Sequence, residues 1–254
     1  MRVVTYNILS GGQARDFGVD RLEAILDVIA SLGPDVLALQ EANGFKAPTI
    51  IESFKRRLGL EYHAISTPAV YAGDGEVYNL VTLSRFPITK TCQHAGPHYE
   101  TGGLETLIET PSCQISFCNI HLHSSDESAR AAEIDAILGN REPANHHIVL
   151  GDFNAISRLD VYSDDASEFE LRFDVTDRLA RDFVDVGARF KASHVPTHPS
   201  RLPADHTRKL HRRIDYVFGS EGIAARAQDA FVVKTDEAHA ASDHFPVVAD
   251  FGDE

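Results

Sequence analysis

His147-Ile148-Val149-Leu150-Gly151-Asp152-Phe153-Asn154 is an apolar run that ends in a carboxylate and an amide. A short continuous apolar run reads as a buried strand, and packing gives no reason for polar residues at its end. The same placement recurs along the chain. Asn7 follows the apolar stretch that opens at Arg2, Glu41 follows Val36-Leu37-Ala38-Leu39-Gln40, and His121 closes the run from Ile115 to Ile120. Asp215 lies inside Ile214-Asp215-Tyr216-Val217-Phe218, and Asp243-His244 precedes Phe245-Pro246-Val247-Val248. In layered α/β folds, strand ends converge on one edge, and ligands bind there. Loops on a rigid scaffold are where catalytic groups collect. Singly, each residue has a plainer account: Asn7 as a turn former, Glu41 as a solvated acid, Asp152 as the head of an Asx-turn. Asp215 is stronger, because an acid amid Ile, Tyr, Val and Phe is half-buried and needs a partner. The set together points to a site.

Strands and helices alternate around these positions. Residues 21–32 predict a helix, with Leu22, Ile25, Leu26, Ile29 and Leu32 on one face. Asp20 and Glu23 form a capping-box signal before it, and Gly33-Pro34 stops it. Residues 48–58 predict a second helix closed by Gly59. Ser124 with Glu127 signals a third, running to about residue 138. Strands are expected at 2–9, 77–85, 88–94, 104–110, 114–121, 147–150, 213–218, 230–234 and 247–251. No internal repeat or linker divides the chain, so one domain over residues 1–254 is expected.

The chain has 254 residues, 43% hydrophobic and 24% charged, which excludes disorder for most of it. Its 3 cysteines, Cys92, Cys113 and Cys118, are odd in number and lack CxxC spacing, so no disulfide framework or zinc motif is legible. No charged segment precedes an apolar stretch at the N-terminus, and no apolar run approaches the roughly 18 residues of a spanning helix. A cytoplasmic protein without membrane insertion is the expectation. Lys and Arg number 24 against 38 Asp and Glu, a net charge of −14. The excess is uneven. Residues 160–185 are acid-rich and read as a solvated face. Residues 189–213 are basic and rich in histidine, and they lead straight into Arg213-Ile214-Asp215. The net figure therefore does not exclude a polyanionic substrate held locally.

Read in order, Thr5-Tyr6-Asn7-Ile8-Leu9, Leu39-Gln40-Glu41, Leu83-Ser84-Arg85-Phe86-Pro87-Ile88, Asn119-Ile120-His121-Leu122, Gly151-Asp152-Phe153-Asn154, Arg213-Ile214-Asp215-Tyr216 and Ser242-Asp243-His244-Phe245-Pro246-Val247 resemble the endonuclease/exonuclease/phosphatase superfamily, the DNase I-like group. The resemblance spans nearly the whole chain. It implies an α/β fold, a four-layer α/β/β/α sandwich of two packed mixed sheets flanked by helices. It also implies Mg²⁺- or Mn²⁺-dependent phosphoester hydrolysis. A hard cation on a non-bridging oxygen relieves the repulsion between an anionic phosphodiester and hydroxide. Mg²⁺ takes oxygen ligands and keeps several waters, so one or two carboxylates suffice. By the resemblance Glu41 is the principal metal ligand, with Asn7 beside it and Asp243 at a second position.

The remaining roles follow from the chemistry. Asp152 and Asn154, two apart on an extended strand end, would point the same way and position the attacking water. His244 is a candidate base, since imidazole titrates near neutrality, and Asp215 would hold its tautomer. Either Asp152 or His244 could take the proton. His121 would donate to a phosphate oxygen or the leaving group. By the resemblance Asn79 would face substrate and Arg130 would support the site, while Arg208, Lys209 and Arg212 of the basic segment are expected to meet substrate phosphates. The favoured function is a nuclease-type phosphodiesterase acting as a monomer. The alternatives are a phosphatase, a sphingomyelin-type phosphodiesterase, and a non-catalytic binding member of the fold. The last is disfavoured because no key residue is missing, and the sphingomyelinase reading by 0 Trp and no visible signal peptide. His121 stands where exonuclease III-type enzymes usually carry Tyr, and Arg212-Arg213-Ile214-Asp215-Tyr216 lacks the Cys-containing motif of inositol-polyphosphate 5-phosphatases.

Overall fold

The computed structural model describes residues 1–14, 18–67, 69–70, 77–162, 171–190, 192, 194–202 and 211–252. Strand β1 (Arg2–Asn7) opens the chain, followed by α1 (Leu22–Leu32), β2 (Val36–Gln40), α2 (Pro48–Leu58), β3 (Tyr62–Ile65), β4 (Ala69–Val70), β5 (Val77–Tyr78) and β6 (Val81–Ser84). Then come β7 (Ile88–His94), β8 (Gly102–Glu109), β9 (Gln114–His121), α3 (Glu127–Gly139), β10 (His146–Asp152), α4 (Asp174–Leu179) and β11 (Phe183–Asp185). The chain closes with β12 (Asp215–Ser220), α5 (Glu221–Ala224), β13 (Ala227–Val232), α6 (Asp236–Ala241) and β14 (Val247–Phe251). Two 6-stranded sheets form, ordered β13-β14-β1-β2-β6-β3 and β11-β12-β10-β9-β8-β7, each mixing parallel and antiparallel pairs.

The period-2 alternation of the strands builds the layers. Val3, Val36, Ala38, Ile115, Phe117, Ile148, Leu150 and Val217 point inward and form the core between the sheets. Val4, Tyr6, Leu37 and Leu39 point outward beneath α1, α2 and α6. Cys118, Ile120, Val149, Tyr216 and Phe218 point outward beneath α3 and α4. This is the expected four-layer sandwich.

At the site end, the two sheets are joined by amides. Gln40 Nε2 donates to Asn119 Oδ1 at 2.7 Å, and Asn119 Nδ2 donates to Leu39 O and Val81 O at 3.0 Å each. Both side chains are fully buried, so their polar groups find partners on each other and on backbone. Gly151 sits at φ +140, and a Cβ there would lie 2.0 Å from Ile120 O. Only glycine lets β10 approach β9 this closely.

Several local expectations change. Helix α1 starts at Leu22, whose N–H donates to Asp20 Oδ1, while Glu23 pairs with Arg57 instead of closing a capping box. Helix α3 is capped by Asp126, which accepts from Ser128 N and Ala129 N, so Ser124 is not its cap. The single strand expected over 77–85 is broken at Asn79-Leu80, because β5 pairs with β4 and β6 with β2 and β3. The acid-rich segment is not wholly a solvated face. The Arg213 guanidinium, itself buried, bonds Asp160 at 3.0 Å and Asp185 at 2.7 Å and lies 4.5 Å over the Tyr216 ring. No described helix is long and apolar enough to cross a membrane.

Candidate active site

Strand register assembles the site. Asp152 pairs with His121 on β9 and with Asp215 on β12, so three polar residues stand in one row across adjacent strands. By parity they continue the inward face of Ile115 and Phe117, of Ile148 and Leu150, and of Val217. Asn7 ends the inward row of β1 opposite Gln40. The same parity would send Glu41 to the outer face. It instead adopts φ +52, a conformation uncommon for a residue with a side chain. That turn brings its carboxylate to Asn7 Nδ2 at 3.1 Å and Ser10 N at 3.0 Å.

Asn7 joins the two sheets at this end, because Nδ2 also donates to Asp152 Oδ2 at 3.0 Å. Its Oδ1 accepts from Leu9 N at 3.1 Å, which sets the amide's orientation. Asp152 Oδ2 further lies 3.6 Å from His121 Nε2 and 3.6 Å from His244 Nε2. On the far side of that ring, Nδ1 is 2.9 Å from Asp215 Oδ2. Asp215 therefore lies behind His244, on the side of the ring away from Asp152.

Electrostatics follow from this packing. Burial alone would lower the His244 pKa, but the Asp215 and Asp152 carboxylates overcome it and hold the imidazolium well above the ordinary range. Burial would raise Asp152, yet His244, His121 and the Asn7 and Asn154 hydrogen bonds keep it below its usual value. Burial raises Asp215, with His244 offsetting part of the effect. Burial, aided by Asp243 and opposed by His121, raises Glu41.

Other expected residues take different places. Asn154 is not on an extended strand end, since β10 stops at Asp152 and Asn154 sits at φ +48. Its N–H donates to Asp152 Oδ1 at 2.9 Å, an Asx-turn, and its Nδ2 donates to Leu122 O at 3.0 Å. The turn side by side with Asp152 is a backbone device that locks the carboxylate. Asn79 is buried, with Nδ2 donating to Ser66 O at 2.9 Å and its carbonyl accepting from Ala42 N. Its backbone carbonyl thereby braces the loop that follows Glu41. Arg130 binds Glu127 and His123 O, supporting the turn after His121. Arg212 exchanges backbone hydrogen bonds with His198 at the rim. Arg208 and Lys209 lie outside the described residues.

Three residues went unassigned in the sequence. Thr197 is fully buried, and its Oγ1 accepts from Ile214 N at 3.0 Å and Asp215 N at 3.1 Å, while its carbonyl accepts from Phe245 N. Ser242 Oγ donates to Asn7 O at 2.7 Å. His198 lies with Nε2 3.7 Å from Asp243 Oδ2 and its ring 4.5 Å from that of His244. The basic, histidine-rich segment that carries Thr197 and His198 pointed to this edge, but not to which of its residues enter.

Two groups of possible ligands converge closely, His198-Asp243-His244 and Asp152-Asp215-His244. Both contain His244, which is already committed to Asp215. Glu41 stands apart from them, offering oxygen donors on its own loop.

A family model described as the Endonuclease/Exonuclease/phosphatase family matches residues 4–244. Among curated proteins none matches in sequence. Solved structures do match in fold. An AP endonuclease from Archaeoglobus fulgidus aligns with TM-score 0.70 and 19% identity, over 99% of both chains. A 3′ phosphatase from Neisseria, bound to a product DNA hairpin, aligns with TM-score 0.71 and 18% identity over 99% of both chains. A mannosyl-6-phosphatase from Bacteroides thetaiotaomicron aligns with TM-score 0.69 and 16% identity over 99% of both. These likenesses concern the fold, and the family match covers the row of polar strand ends just described. The chain belongs to the endonuclease/exonuclease/phosphatase family, and is by that membership a phosphoric ester hydrolase.

Proposed function

We propose that the protein is a Mg²⁺- or Mn²⁺-dependent phosphodiester hydrolase that directs water in line onto phosphorus, with nucleic acid as its favoured substrate. The observation behind this is the meeting of Glu41, Asn7, Asp152, His121, Asp215 and His244 at one end of the sandwich. The donor set suits a hard cation. Glu41 is a carboxylate pushed up by burial and by Asp243, and its hydrogen-bond partners are the neutral Asn7 amide and Ser10 N–H. Glu41 would hold the ion, with Asn7 and Asp243 in the same oxygen-rich surroundings. When bound, it supplies Lewis-acid polarisation of a phosphoryl oxygen.

The chain's own residues divide the remaining work. Asp152, kept ionised by its neighbours, is placed to orient water and accept its proton. His244, kept cationic between Asp152 and Asp215, is placed to donate to a phosphate oxygen. His121 Nδ1 is buried with no hydrogen-bond partner among the described residues, which suits a ring that completes its bonding on substrate. Arg212 at the rim, with Arg208 and Lys209 of the same basic segment, would contact flanking phosphates.

A second reading, phosphomonoester hydrolysis, draws on the two phosphatases among the structural neighbours. A panel with Mg²⁺ and Mn²⁺ separates them: bis-p-nitrophenyl phosphate against p-nitrophenyl phosphate, then single- and double-stranded DNA and RNA. Faster diester turnover with nucleic acid cleavage is expected. Turnover of the monoester alone would overturn the diester reading in favour of the second.

A further inference from the structure

Away from this site, a thiol, an imidazole and a carboxylate meet on the outer face of the second sheet. The ligand atoms of Cys92, His94 and Glu105 all lie within 4.8 Å of one another. Strand register makes the trio. Cys92 and His94 are two apart on β7, so they share a face, and Glu105 on β8 is the cross-strand partner of Cys92. Glu105 is firmly placed. Ser116 Oγ donates to its Oε1, Glu142 N donates to both oxygens at 3.0 and 3.2 Å, and His94 Nε2 lies 3.0 Å from Oε2. Burial would raise this carboxyl, but the hydrogen bonds from His94, Ser116 and Glu142 prevail and keep it in the anionic form. Glu105 and His94 are buried while Cys92 is half-buried, so the trio is closed beneath and opens at the sulfur.

We propose that Cys92, His94 and Glu105 form a binding site for a borderline-soft divalent cation of the Zn²⁺ class, separate from the phosphoester site. Sulfur, nitrogen and oxygen donors with a water in the fourth position suit Zn²⁺ and are poor ligands for Mg²⁺. On binding, the ion exchanges water ligands for the three side chains, the Cys92 thiol gives its proton to solvent, the neutral His94 ring shifts its one N–H from Nε2 to Nδ1, and the His94–Glu105 hydrogen bond is replaced by bonds to metal. β7 is the edge strand of its sheet, so the ion would staple that edge to β8.

Cobalt tests this directly, because thiolate ligation to Co²⁺ gives a sulfur-to-metal charge-transfer band that the oxygen- and histidine-lined phosphoester site cannot. Titration of the purified protein should give one equivalent of this band, displaced by Zn²⁺ and not by excess Mg²⁺. Cys92→Ser should abolish it, His94→Ala should weaken binding at least tenfold, and Cys113→Ser should leave it unchanged. In the wild-type protein, Zn²⁺ should protect Cys92 from alkylation while Cys113 keeps reacting. Absence of the band, its survival in Cys92→Ser, or equal alkylation of Cys92 with and without Zn²⁺ would reduce the trio to a hydrogen-bonded cluster and overturn the proposal.

Discussion

Thr197→Val isolates a single structural role. The two side chains have nearly the same shape, so the change removes the hydroxyl and little else. That hydroxyl is the acceptor for Ile214 N at 3.0 Å and Asp215 N at 3.1 Å, in a position with no solvent exposure. Each orphaned buried N–H costs about 1–3 kcal/mol, so the pair should cost about 2–6 kcal/mol of folding stability. Thr197→Ser keeps the acceptor and loses one methyl, a loss of about 1 kcal/mol. Urea denaturation of the three proteins measures the difference. A functional readout goes with it, since Asp215 holds His244 from behind. Loosening its backbone should lower kcat more than it raises KM, because misplacement of a reacting group by about 1 Å can cost 10²-fold. Val and Ser variants that agree within about 0.5 kcal/mol would show that the hydroxyl does not hold these two N–H groups.

Arg213→Met should destabilise by about 3–5 kcal/mol, because it leaves the buried Asp160 and Asp185 carboxylates without their cation; calorimetric melting checks this, and a negligible shift would contradict it. Gly151→Ala should cost at least about 2 kcal/mol, since the added Cβ meets Ile120 O at 2.0 Å in backbone that cannot give way; a stable variant in a denaturation series would refute the close approach. Asp126 is held below the usual carboxylate range by the Ala129 and Ser128 N–H groups. Its folded pKa is depressed, so its stabilisation is present above the unfolded value and is lost as pH falls through the folded one. The gap in urea midpoint between wild type and Asp126→Ala should therefore be largest near neutrality and shrink in acid, and a constant gap would count against the cap.

Much of this arrangement was legible because it depends on period and order. Polar residues at strand ends are visible without coordinates, and parity then places His121, Asp152 and Asp215 in one row on the inward face of one sheet and Asn7 on the inward face of the other. Glu41 was legible as a site residue, but not how it arrives, since a φ of +52 leaves no mark in residue type. Asn154 was assigned by treating the strand as extended through it, whereas the Asx-turn ends β10 at Asp152. Asn79 was legible as a polar break in the strand pattern, but not the bond from its Nδ2 to Ser66 O. Asp160 and Asp185 looked like members of a solvated acidic run because their partner, Arg213, is distant in sequence from Asp160 and only the fold brings them together. Thr197 carries no chemical signature at all. Its importance lies in accepting from two successive backbone N–H groups at the start of β12, beside which only the fold brings it.

In the proposed mechanism Glu41 supports metal-assisted hydrolysis and Asp152 handles the proton. The most direct test is steady-state hydrolysis of bis-p-nitrophenyl phosphate by wild type and Glu41→Ala, each treated with a chelator and then resupplied with Mg²⁺ or Mn²⁺, with circular dichroism to verify folding. Chelation should abolish wild-type turnover, either ion should restore it, and folded Glu41→Ala should stay inactive at metal concentrations that saturate the wild type. Turnover that survives both the chelator and the loss of Glu41 would contradict this mechanism.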